Sequence, residues 1–173
     1  MSDRVCALAA DTKVETPEGA MAIRAVAGKA IAVFTREAGR VRFRMMLDVR
    51  KLAEQQPVLK ITLETGESFR VAAEQVFYKK GMVECRADAL RIGDHLEATF
   101  HYPEQYQFID DTTGETRSSP AALRVTEVGS GGTADLYTLG VKQTGCFFLT
   151  AGVLCKAEGT EAQLVEPDLG GRA

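Results

Sequence analysis

The run Leu59-Lys60-Ile61-Thr62-Leu63-Glu64-Thr65-Gly66-Glu67-Ser68-Phe69-Arg70-Val71 alternates apolar and polar side chains on both sides of a short polar break. A period of two is that of a β-strand with one face buried and one wet. Glu64-Thr65-Gly66-Glu67 supplies the turn, with Gly66 free to take a positive φ, so the whole stretch reads as a β-hairpin. The pattern recurs outward in both directions. Val41-Arg42-Phe43-Arg44-Met45 alternates apolar and basic residues and puts Arg40, Arg42 and Arg44 on the wet side of a strand, a face that would suit an acidic partner. Further short strands are predicted over residues 12–16, 30–35, 74–79, 95–100, 123–128, 136–141 and 146–150. Turn chemistry separates them at Pro17-Glu18-Gly19, Ala38-Gly39, Lys80-Gly81, Gly93-Asp94, the glycine run 129–132, Gly145 and Gly152. Helical periodicity is confined to 20–26 and 86–91. Many short strands with glycine turns and no alternating helices define an all-β fold.

The 173 residues suit one domain, expected over 1–158. They are 45% hydrophobic and 26% charged, enough apolar material for a core. A formal charge of −3 carries no basic excess, which argues against nucleic acid as a partner. No apolar run is long enough to cross a bilayer, and no signal peptide is visible at the start, so a cytoplasmic protein without a membrane partner is expected. Residues 101–121 form a polar stretch, long for a compact domain, and read as a loop insertion. The stretch 159–173 reads as a flexible tail. In a reducing compartment Cys6, Cys85, Cys146 and Cys155 are free thiols rather than a disulfide framework.

Five blocks in order carry a family resemblance. Ala7-Leu8-Ala9-Ala10-Asp11-Thr12-Lys13-Val14 with Thr16-Pro17-Glu18-Gly19 and Ile23 resembles the opening block of Hint domains, the modules shared by inteins, bacterial intein-like domains and hedgehog autoprocessing domains. Residues 61–66 followed by 69–78 are similar to the second block. Ala89-Leu90-Arg91-Ile92-Gly93-Asp94 looks like the A-x-x-L-x-x-G-D segment after it, while 136–141 and 152–154 look like the last two blocks. The resemblance spans about residues 5–158. The 101–121 loop falls where splicing inteins often carry a homing endonuclease, and it is far too short for one.

The resemblance implies a flat all-β horseshoe with pseudo-two-fold symmetry, in which the first and last strands meet. It implies a chemistry as well: a first-residue cysteine or serine attacks the preceding carbonyl, turning an amide into a thioester or ester. A Thr-x-x-His pair in the second block polarises that peptide, and a late histidine and a terminal His-Asn pair release the far side. In this chain most of those positions carry other residues. With Asp11-Thr12 at the usual offset, the first residue is Ala7. Hedgehog-type members have a longer gap, which would make Cys6 the nucleophile, attacking the Val5 carbonyl against the crowding of a β-branched residue. Some inteins instead begin with alanine and use the downstream nucleophile directly. The Thr-x-x-His motif reads Ala72-Ala73-Glu74-Gln75, and Gln75 donates hydrogen bonds but shuttles no proton near neutral pH. The late histidine aligns with Cys146, and the terminal pair with Lys156-Ala157, which has no cyclising asparagine.

The vestigial site set is therefore Cys6, Gln75, Cys146 and Lys156, expected to support no splicing and at most a slow thiol-mediated acyl shift or cleavage at Cys6. A catalytically silent binding or structural module is the alternative. The implied partners are the chain's own flanking segments, and the chain is expected to be a monomer. Cys6, Cys146 and Cys155 are expected near the centre as structural thiols, since no Cys-x-x-Cys knuckle and no histidine at ligand spacing marks a metal or redox site. His95 and His101 fall where the family has no catalytic residue. Neither the glycine run 129–132 nor Asp110-Asp111-Thr112-Thr113-Gly114-Glu115 has the context of a phosphate or calcium loop, so no cofactor is implied.

Overall fold

Two long strands dominate the computed structural model, which describes residues 4–98, 107–109, 114, 116–118 and 122–158. In chain order the strands are β1 (Leu8–Ala9), β2 (Lys13–Thr16), β3 (Gly19–Ala22), β4 (Ala32–Glu37), β5 (Arg40–Leu63), β6 (Ser68–Val71) and β7 (Val76–Lys79). There follow β8 (Val83–Arg86), β9 (His95–Glu97), β10 (Gln107–Ile109), β11 (Thr116–Ser118), β12 (Ala122–Val141), β13 (Cys146–Phe148) and β14 (Leu154–Lys156). A single helical turn, α1 (Ile23–Val26), and a 3-10 turn at Ala87–Ala89 are the helical elements among the described residues.

The hairpin read from the sequence is present. Leu59 pairs with Val71, Lys60 with Arg70, Ile61 with Phe69 and Thr62 with Ser68, and Gly66 has φ of 92°. Ile61, Phe69 and Val71 face the core, while Lys60 and Arg70 face outward. Ten strands form one sheet in the order β13-β14-β7-β9-β12-β1-β6-β5-β4, with β8 on β7 and a second pairing of β12 with β5. β2 pairs with β3, and β10 with β11, in two small ribbons, the latter inside the polar 101–121 stretch.

β5 and β12 run antiparallel from Val125↔Leu63 to Val141↔Met46. So long a ladder stays paired only by bulging, because each strand twists and the surplus residues must leave the register. Three register shifts each hold a residue of positive φ: Gly132 between Ser130 and Thr133, Gln55 opposite the step from Ala134 to Leu136, and Asp48 opposite the step from Thr138 to Gly140. Pro57, with no N–H to give the ladder, sits opposite Thr133 beside the first of them.

Several sequence expectations are corrected here. The glycine run 129–132 is not a turn: it lies inside β12, and the strands expected at 123–128 and 136–141 are one. A Cβ on Gly131 would sit 3.1 Å from the Leu59 carbonyl carbon and the Lys60 nitrogen, so the run allows close backbone approach. The helical stretch at 20–26 splits into β3 and one helical turn, and 86–91 gives only the 3-10 turn. On the 40–45 strand the apolar side is only partly covered: Val41 packs on the Phe148 cluster, while Phe43 is 51% and Met45 37% exposed. Arg44 there is held by Glu37 at 2.8 Å.

Candidate functional site

The topology brings both ends of the described chain to one turn. β1 lies between β12 and β6, through Leu8↔Tyr137 and Leu8↔Val71. β14 lies beside β7, through Cys155↔Phe77. β6 and β7 are joined by the tight turn Ala72-Ala73-Glu74-Gln75, closed by the Gln75 N–H on the Ala72 carbonyl at 3.1 Å. The turn therefore sits over the gap between the first and last strands, and Gln75 points into it, fully buried.

Gln75 satisfies its amide there. Its side-chain oxygen accepts the Ala7 N–H at 2.8 Å. Its Nε2 donates to the Val76 carbonyl at 2.9 Å and to the Lys156 carbonyl at 3.1 Å. Neighbouring backbone completes the clasp: the Ala7 carbonyl takes the Ala72 N–H at 3.0 Å, and the Val5 carbonyl takes the Val76 N–H at 2.9 Å. The peptide bond held by Gln75 is thus the one between Cys6 and Ala7. Around it the surface is methyl: Ala7 and Ala72 pack in one buried cluster with Ala9, Val58, Ala134 and Leu136.

Cys6 is buried in the main core, away from solvent. Burial raises its thiol pKa to about 12, outweighing the help it receives from the Leu139 backbone, the Thr138 hydroxyl and the Glu158 backbone. Cys155 shares that core and is raised well above the ordinary value, first by burial and then by the neighbouring Cys6 and Cys146. Cys146 does not join them in packing. It alternates with Phe147 on β13, so its side chain turns to the opposite face, into a cluster with Phe148 and Leu154. There its sulfur donates to the Arg36 carbonyl at 3.6 Å and lies 3.3 Å from the Thr35 hydroxyl. Cys6 and Cys146 thus both neighbour Cys155, as expected of the three thiols, but only Cys6 shares its packing cluster.

Lys156 enters through its backbone alone. Its carbonyl accepts from Gln75, while its ammonium turns out to Glu84 at 2.9 Å on the surface of β8. Ala157, at the position of the terminal asparagine, is buried and gives its N–H to the Gly145 carbonyl at 2.8 Å. His95 is exposed on β9, and His101 lies outside the described residues. Two contributors were missed in the sequence. Thr138, buried with no hydrogen-bond partner of ordinary geometry among the described residues, faces the Cys6 thiol. Glu158 sits next to the same sulfur and is fixed by Arg50 at 3.0 Å. Only the fold, which sets β12 and the segment after β14 against the start of the chain, reveals them.

No family model and no curated protein sequence matches this chain. Solved structures do. The chain superposes on the Ssp DnaB mini-intein variant M86 with a TM-score of 0.71 at 12% identity, covering 97% of this chain and 99% of that one. The gp41-1 intein gives 0.65 at 17% identity, covering 88% and 99%. A bacterial intein-like domain from Clostridium thermocellum gives 0.64 at 20%, covering 89% and 99%. The chain therefore has the all-β Hint fold. In architecture it is similar to these inteins and to the intein-like domain, each matched over 99% of its length.

Proposed function

We propose that this chain is a Hint-fold module in which the reaction centre has become a structural clasp, so that the domain stays uncut between its own flanking segments. The observation that carries this reading is the hydrogen bond from the Ala7 N–H to Gln75. It supports Ala7 as the first family residue, because the buried second-block side chain engages the peptide bond ahead of it. Ala7 offers no nucleophile, and its methyl packs on that of Ala72, where the family has a hydroxyl.

The slow acyl shift at Cys6 finds little support. A thiol with pKa near 12 is ionised on the order of 10⁻⁵ at pH 7, and the thiolate is the attacking species. The Cys6 sulfur is turned toward Thr138 and Glu158, and the Val5 carbonyl is engaged by Val76. Direct use of a downstream nucleophile fares no better. Glu158, which follows Ala157, carries a carboxylate bound to Arg50 in place of a thiol or hydroxyl. Ala157 cannot cyclise.

The test is mass measurement of the chain with a folded tag on each side, incubated for a day with and without a strong thiol nucleophile. A single uncut species is expected for the parent and for Cys6→Ala alike. Thiol-dependent release of the upstream tag that disappears in Cys6→Ala would overturn the reading.

A further inference from the structure

Away from the clasp, the outer face of the 59–71 hairpin forms the floor of a half-open groove of about 630 Å³, a size suited to a small ligand. The turn after β1, the bulge of β12 and the turn after β13 wall it in. Lys60 and Arg70 stand directly opposite each other in the ladder, on the same outward face. Like charges in that arrangement destabilise a sheet unless they are neutralised. Arg70 is neutralised: its guanidinium holds both oxygens of Asp11 at 2.9 Å and donates to the Gly131 carbonyl at 3.0 Å. Lys60 has no ionic partner among the described residues, and neither has Lys13, the other lysine lining the groove. The remaining acid, Glu67, lies at one side. With Asp11 and Arg70 cancelled, the groove keeps one net positive charge in a chain whose overall charge is −3.

We propose that this groove is a binding site for a single phosphate group, inorganic or carried on a small monoester. The donor set decides for phosphate over carboxylate. The Arg70 guanidinium is already occupied, its Nη2 on both Asp11 oxygens and its Nη1 on the Gly131 carbonyl, so it offers no free two-point grip for a carboxylate, whereas two lysines act as point charges and serve a tetrahedral dianion. Ser68 and Ser130 add hydroxyl groups at the groove. The tight approach of Gly131 to the Leu59–Lys60 backbone fixes the floor on which Lys60 stands.

The test is an NMR titration of the whole ¹⁵N-labelled chain with inorganic phosphate, glycerol phosphate and acetate at constant ionic strength. Saturable shifts at the amides of Lys13, Ser68 and Ser130 are expected with both phosphates. Stronger binding of glycerol phosphate assigns the monoester as ligand, and equal binding assigns the inorganic ion. Lys60→Ala should bind about tenfold more weakly, the loss of one charge-assisted contact, while unfolding no more easily than the parent because the like-charge pair is gone. Lys13→Ala serves as the second variant, and Glu67→Gln should bind more tightly. Shifts no larger than acetate gives, or an affinity unchanged in both lysine variants, would overturn the assignment.

Discussion

The Ala7 N–H points at the side-chain oxygen of Gln75 at 2.8 Å, across 68 positions of sequence. That bond and the one from Gln75 to the Lys156 carbonyl tie the first strand, the 72–75 turn and the last strand through one buried amide. A buried N–H or carbonyl left without a partner costs about 1–3 kcal/mol, so Gln75→Ala, which strands both and opens a small void, should lower stability by about 2–4 kcal/mol. Urea unfolding followed by circular dichroism measures this, and a midpoint within error of the parent would mean that the clasp is not holding the ends.

The four cysteines should separate by reactivity. Cys6, Cys146 and Cys155 are buried, and Cys85 is half-buried near the surface of β8. A thiol reagent at pH 8 should label Cys85 first and reach the other three only on unfolding. Rapid modification of Cys6 in the folded chain, located by peptide mapping, would contradict the packing described.

Stability should fall in alkali. The Cys6 pKa lies near 12 in the folded chain and near 8.5 in an unfolded one. The folded state therefore keeps the proton where the unfolded state has lost it. The contribution is complete below about pH 8.5 and drains away as pH rises toward 12. Cys155, shifted in the same direction, adds to the slope. Comparing urea midpoints from pH 8 to pH 10.5 should give a steeper fall for the parent than for Cys6→Ala. Parallel curves would remove Cys6 as a source of the effect.

The β12 bulge should tolerate no added methyl. At Gly131 a Cβ meets backbone on β5 at 3.1 Å, and at Gly132 the φ of 80° strains any residue with a side chain. Gly131→Ala should cost about 1–3 kcal/mol through overpacking, and Gly132→Ala about 1 kcal/mol through backbone strain. Thermal melting reads both. An unchanged melting temperature in Gly131→Ala would show that the two long strands separate there at no cost.

Much of this was visible in the residues. The 59–71 hairpin follows from its period of two and from Gly66, and the all-β architecture from its repetition. Residues 46–58 gave no such signal. They mix apolar and polar residues with no period of two and contain Pro57, and they form strand because β12 pairs with them, the surplus residues of the two strands taken up at Asp48, Gln55 and Gly132. The glycine run 129–132 looks like a turn locally and is extended for the same reason.

The sequence by itself fixed which chemical groups exist: an alanine at residue 7, a glutamine at 75, no asparagine at 157, two histidines in all. Whether Cys6 or Ala7 faces the second-block side chain was not legible, because moving one residue along a strand exchanges its two faces and both registers suit the same composition. Only the folded chain resolved it. The turn between β6 and β7 sets Gln75 against the N–H of Ala7, and that register sends the Cys6 sulfur into the core.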